Sequence, residues 1–440
     1  MRRHLALDAS PTLGAPLRFF LNAPVFASLA AALLLYAGPS TWATRWSPYA
    51  LAATHLMTLG VFASVMMGAL MQILPVVAGV HVASVRRSAA GIHALLTFGT
   101  LALALAFISS ETELFPIAAL ACGAAALWFV VACAIGLARA SSAAVPGVVD
   151  ILHAVRLALA ALIVTVALGA TLAVSLTWPM SVPVVALTDL HWTWGLAGWI
   201  GLLTVGIAYQ VIPMFQVTEP YPRLLARAFA PLAFLTLVLA SLSNFVLQAL
   251  EPAATPWFVA QPFAGYVVFA VVTLVLLGRR KRIGADTTTL YWRTSMVSIV
   301  CGALTWAIAS ATHRPSLDVT IGVLLLVGVV ASAINGMLYK IVPFLLWYHL
   351  QASIDERSPL VPKMKTVLPD SQARRQYWAH LCALLMLLAA SAWPAALARP
   401  AAFVFGVSSV WLGVDMARAM RIYLRVKREL SLVRAGGTQL

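Results

Sequence analysis

Residues 68–75 read GALMQILP, residues 206–213 read GIAYQVIP and residues 336–343 read GMLYKIVP. Each octapeptide runs glycine, three residues, a long polar side chain, two aliphatics, proline. The copies stand 138 and 130 residues apart, which is four apolar runs each time. A triplicated pattern at this spacing marks an internal repeat. On a helix the glycine, the polar residue four places on and the proline three beyond it share one face. Glycine lets a neighbouring helix approach closely, and proline breaks a backbone hydrogen bond and kinks the helix. In lipid the freed carbonyl needs a donor, and Gln72, Gln210 and Lys340 are placed to supply one.

The surrounding composition says what solvent these helices meet. The chain has 440 residues, 62% of them hydrophobic and 10% charged, with mean hydropathy +0.93. Soluble domains carry about 25% charged residues. A soluble globular enzyme, a disordered chain and a nucleic-acid binder are therefore excluded. The 29 Lys and Arg, for a net charge of +15, are too scattered to track phosphates. About 20 apolar residues cross a bilayer core, and twelve such runs extend from 17–38 to 400–420. The fold class expected is an all-α polytopic membrane protein. It forms a single membrane domain, 1–440, of twelve transmembrane helices in three pseudo-symmetric four-helix units, roughly 17–138, 148–278 and 289–420. Its partner in every reading is the lipid bilayer.

Lys and Arg flank the cytoplasmic ends of membrane helices. One set of loops carries Arg86, Arg87, Arg139, Arg223, the run Arg279 to Arg282, and the 350–375 connector with Asp355, Glu356, Arg357, Lys363, Lys365, Arg374 and Arg375. Arg2, Arg3, Arg425, Lys427 and Arg428 add both termini to that side. The opposite set has Arg45, Arg314 and Arg399. The asymmetry puts both termini in the cytoplasm. Cys122, Cys133, Cys301 and Cys382 all sit in apolar runs without a paired spacing and read as buried small hydrophobes.

Ionisable residues inside spans are costly and point to function. His55 and His191 lie 20 and 22 residues before Pro75 and Pro213, at nearly the same depth in the outer halves of helices two and six. A neutral imidazole ligates haem iron, copper or zinc, so the two are the candidate cofactor-binding and metal-binding residues. Two residues of offset turn a side chain by about 200° on an ideal helix, so equivalent directions require a bulge or kink between His and Pro. The third unit has Ile321 and Val323 in these slots. A second candidate metal set, His81, Glu219 and His349, stands six residues after each repeat proline; two His and one Glu are zinc-type ligands. The plainer readings are packing for the octapeptides, hydrogen-bonded imidazoles for the outer pair and boundary polarity for the inner set. Trp192, Trp194 and Trp199 suit an outer aromatic belt.

Together these features resemble the catalytic subunit of haem–copper oxidases. In style they are closer to the NnrS family of haem- and copper-containing membrane proteins. Leu17-Arg18-Phe19-Phe20 is similar to that family's opening motif, and His55, Met57, Gly60, Leu74-Pro75 and Gly79 resemble its helix-two pattern. The resemblance implies haem or copper as cofactor, His55 and His191 at the helix-two and helix-six ligand positions, and a bacterial inner membrane. It also implies a place beside respiratory or accessory subunits, in respiration or nitrosative-stress metabolism. The oxidases carry further His on helices seven and ten. Residues 226–250 contain none, and helix ten has only His349, at its inner end. The three-His copper centre is thus absent, and a terminal oxidase or nitric oxide reductase is not expected. The alternative is a non-redox transporter or scaffold that kept the bundle, to which an intramembrane Lys340 is suited.

The loop charges predict an outcome for topology reporters. Fusions at Arg280 and within 350–375 should report cytoplasm, and one near Pro183 the outside. An external signal at Arg280 overturns the orientation.

Overall fold

A computed structural model describes residues 6–437 apart from 110, 140–147, 251–254, 283, 313, 315–316 and 353–359. Arg2, Arg3, Asp355, Glu356 and Arg357, used above for topology, lie outside the described residues. Among the described residues there is no strand. The long helices are α1 (Gly14–Ala37), α2 (Pro48–Ala78), α3 (Val85–Ser109) and α4 (Leu114–Arg139), then α5 (Val148–Ser175), α6 (Val184–Gln216), α7 (Arg223–Leu250) and α8 (Thr255–Gly278), and last α9 (Thr287–Thr312), α10 (Leu317–Gln351), α11 (Asp370–Ala392) and α12 (Pro394–Gly437). Ten of the described helices are long and apolar enough to cross a membrane. The other two, α8 and α11, stand where the eighth and eleventh runs were read. The first half of α11, DSQARRQYWAH, is the most polar of these segments. The chain is a multi-pass, all-helical membrane protein.

α2 and α6 are the best enclosed spans, with 78% and 72% of their most apolar stretch buried, against at most 44% for any other counted span, α10 included. All three bend the same rule of helix geometry. Eight residues in each wind as π-helix: Leu56–Ala63, Trp194–Gly201 and Leu324–Ala331. Every one begins 19 residues before its repeat proline. A π turn holds one extra residue per turn and shifts hydrogen bonds to i→i+5. Carbonyls displaced from the regular ladder find donors nearby: Tyr266 donates to Ala197 O, Ser295 to Val329 O at 2.9 Å and Ser332 to Val327 O at 3.2 Å. This meets the requirement that backbone groups in lipid be satisfied within the protein. The octapeptide's polar side chains act elsewhere, since Gln72 donates to Ser10 at 2.7 Å and Lys340 pairs with Asp286 at 2.7 Å.

The reason for the glycines is a repeated close approach. A Cβ at Gly68 would sit 2.8 Å from Phe19, at Gly206 2.6 Å from Ala154, and at Gly336 2.6 Å from Tyr291. Eight residues earlier, at the fifth place of each π segment, Gly60, Gly198 and Gly328 would meet Phe26 at 2.3 Å, Ala161 at 2.8 Å and Ser298 at 2.5 Å. The partners are seven residues apart on α1, α5 and α9 in turn. Each repeat helix is thus clamped by two glycines to the helix that precedes it. The register is the same three times, and this is the symmetry the octapeptides announce.

Close approach at these points predicts a stability pattern. Gly60→Ala and Gly206→Ala should each cost about 1–3 kcal/mol through overpacking, read as a lower melting temperature in detergent. Gly322→Ala, in α10 with nothing within 4 Å of its Cβ position, should be neutral or slightly stabilising.

Candidate functional site

The sequence places histidines in α2 and α6, and the fold brings their rings together. His55 and His191 lie with ring centroids 6.3 Å apart and planes within 21°. His55 ends the regular first turns of α2, directly before the π segment, and His191 stands three residues before its own. The two-residue offset persists, because both π segments have the same length and register. The rings meet for a different reason than equivalent orientation: each is held by a different helix. His55 Nδ1 donates to Leu51 O, one turn back on α2, at 2.8 Å. His191 Nδ1 donates to Thr165 O on α5 at 3.0 Å. A carbonyl only accepts, so each bond fixes the proton on Nδ1. In the neutral ring Nε2 is then left as a lone pair, the arrangement that suits a metal ligand.

The walls are equally specific. Phe107 of α3 stacks on His55 with centroids 5.4 Å apart, and Phe115 of α4 meets Phe107 edge-on at 5.1 Å. On the other side Gly169 of α5 makes room, since a Cβ there would lie 2.7 Å from His191 Cε1. Phe107, Thr165 and Gly169 escaped the sequence reading. Gly169 alone left a signal, as the one glycine of α5. In the third unit Val323 takes the slot before the π segment and Ile321 the one two earlier, and Ile321 borders an apolar cavity of about 480 Å³ between α6, α8, α9 and α10.

The geometry can be tested against a two-imidazole cofactor. A metal sits about 2.0–2.1 Å from a ligating imidazole nitrogen, which puts the ring centre about 3 Å from the metal. Two rings on opposite sides of one metal ion are then about 6 Å apart, close to the observed separation. The separation of the two stacked rings therefore matches, in distance, a group that takes two imidazoles. The donor set does not extend to three protein ligands: among the described residues no group of three or more His, Cys, Asp or Glu side chains converges to hold a metal ion. His81, Glu219 and His349 are accordingly not gathered. Glu219 is exposed and pairs with Lys281 at 2.7 Å, an interaction that lowers its carboxyl below the usual range; His81 is exposed, and His349 packs edge-on against Tyr348. Trp192, expected in an aromatic belt, donates to Asp189 at 3.2 Å, while Trp194 and Trp199 are buried. The four cysteines are free thiols.

Above the histidines, on the side poor in Lys and Arg, Arg45 links the units. It precedes α2 and reaches Asp189 of α6 at 2.9 Å and Asp318 of α10 at 3.6 Å. One guanidinium thus ties together the N-terminal ends of all three repeat helices. Comparison of the chain with protein-family models and with curated proteins finds no match.

The Arg45 link is about one-third exposed, so its contribution is modest. A double-mutant cycle of Arg45→Ala with Asp189→Asn should give a coupling of about 0.2–1 kcal/mol. The coupling should shrink as salt rises from low to molar concentration.

Proposed function

We propose that this membrane protein binds haem or copper between His55 and His191 and serves redox or cofactor-handling work in respiratory or nitrosative-stress metabolism. The single observation that supports it is the facing pair of half-buried imidazoles, 6.3 Å apart, each with Nδ1 committed to a backbone carbonyl. The bound group would supply one-electron exchange. The chain's own contribution is to hold two neutral imidazoles on rigid helices, to fix their tautomers, and to screen them with Phe107. With two imidazoles and, among the described residues, no group of three metal-binding side chains, the pair would suit haem or copper held by two imidazoles better than an oxygen-reducing copper centre. In this reading the protein lies in a bacterial inner membrane with both termini in the cytoplasm, alongside respiratory or accessory subunits.

The test is spectroscopic. Protein purified from cells grown with ample haem and copper should show a Soret band or stoichiometric copper. His55→Ala and His191→Ala should each abolish it while costing at most about 1–3 kcal/mol of stability, and His349→Ala should spare it. A native protein with neither cofactor, or outer variants that retain it in full, would hand the site to the transporter or scaffold reading.

A further inference from the structure

A second site lies at the opposite end of the molecule and does not depend on the histidine pair. At the basic side a cavity of about 480 Å³ opens between the start of α9, the end of α10 and the short helix Met364–Val367. That volume is within the range of small-ligand sites, about 300–1,000 Å³. Three cations border it: Arg282, Lys340 and Lys365.

Lys340 marks the place as special within the repeat. The other two octapeptides carry Gln at this position, and a lysine in a span is costly. Its immediate partner is Asp286, whose Oδ2 takes Lys340 Nζ at 2.7 Å and Arg282 Nη1 at 3.3 Å. The other oxygen, Oδ1, accepts the Thr289 N–H at 3.0 Å and the Thr289 hydroxyl at 2.9 Å. Burial opposes ionisation of Asp286, yet Lys340 and Thr289 together hold its carboxyl below the ordinary value. The start of α9 is therefore already capped, and the acceptor capacity of Asp286 is used.

The donors are not. An ammonium carries three N–H groups and a guanidinium five, and Asp286 takes one from each. Lys365, across the cavity, makes no ion pair among the described residues. The second acid on the wall, Asp370, is committed to the Thr287 N–H at 2.9 Å and to Arg374 at 3.4 Å. Three cationic side chains thus line a space whose two carboxylates each already accept from a cation and from a threonine N–H. Beside them Tyr339, Pro343, Met364 and Leu368 form an apolar wall.

We infer that this cavity binds a phosphate-type oxyanion through Arg282, Lys340 and Lys365, with room for an apolar portion of the same ligand. Arginine and lysine together supply the fork and the point charge that phosphate oxygens accept. The chemistry is shared by an anionic lipid headgroup at the bilayer surface and by a soluble phosphorylated metabolite.

The experiment uses the full chain in a neutral detergent and follows thermal melting while titrating inorganic phosphate, dihexanoyl phosphatidic acid or, as a zwitterionic control, dihexanoyl phosphatidylcholine. Phosphate or phosphatidic acid should raise the melting temperature saturably, and the control should not. A shift with inorganic phosphate identifies a soluble anion, and a shift with phosphatidic acid alone identifies a headgroup. Lys365→Gln, which leaves the Asp286 pair intact, should weaken binding about tenfold, as should Arg282→Gln, and His55→Ala should leave it unchanged. Absence of a shift with either phosphate ligand, an equal shift with the zwitterionic control, or full affinity in both cation variants overturns the proposal.

Discussion

Helices in lipid gain nothing from hiding apolar surface, because the solvent is as apolar as they are. Association must come from close packing and from polar contacts made inside the protein. In this chain six of the closely packed glycines are placed alike in the three repeat helices. Gly60 and Gly68, Gly198 and Gly206, and Gly328 and Gly336 bring each repeat helix against the one before it. The contact at Gly60 lies in the same π segment that His55 precedes, and Gly198 does so for His191. Each imidazole therefore stands within two turns of a close helix–helix contact.

Much of the architecture was legible because it is written in hydropathy. The long apolar runs, the triplicated octapeptides and the loop charges lead to an all-helical multi-pass protein with α2, α6 and α10 as related elements. The π segments were not legible, since LMTLGVFA, WGLAGWIG and LLLVGVVA share no side-chain signature beyond one glycine. That glycine stands eight places before the octapeptide glycine in all three copies and is the segment's one legible mark. His55 and His191 were found from depth alone. Their meeting was not derivable, because ideal-helix geometry turns the two away from equivalent directions, and only the Thr165 carbonyl on α5 brings His191 into line. The inner set His81, Glu219 and His349 shows the opposite failure. Equal spacing from a proline fixes height along the helix, but it does not make side chains converge.

The three units have diverged in what they carry. α2 and α6 carry a histidine toward their N-terminal ends; α10 has aliphatics there, and polar residues on and around it lie toward the basic side and the middle. Tyr339 donates to the buried Asp415 at 2.9 Å, His380 lies against Ser332 at 2.8 Å, and Tyr291 donates to Gln376. Lys340 and Asp286 belong to the same shift. A symmetric scaffold thus supports an asymmetric distribution of chemistry, with candidate sites at opposite ends of the repeat helices.

Arg45 also carries a consequence for the order in which the molecule is built. The glycine contacts join helices adjacent in the chain, so each unit can settle as it leaves the ribosome, first unit first. Arg45 belongs to the opening unit, but its partners arrive later: Asp189 follows 144 residues on, and Asp318 only with the last unit. The clasp can close first on Asp189, once α6 is in place, and is complete only after insertion of α10. A chain that stops before α6 leaves the guanidinium with neither acid, and one that stops before α10 leaves it with Asp189 alone.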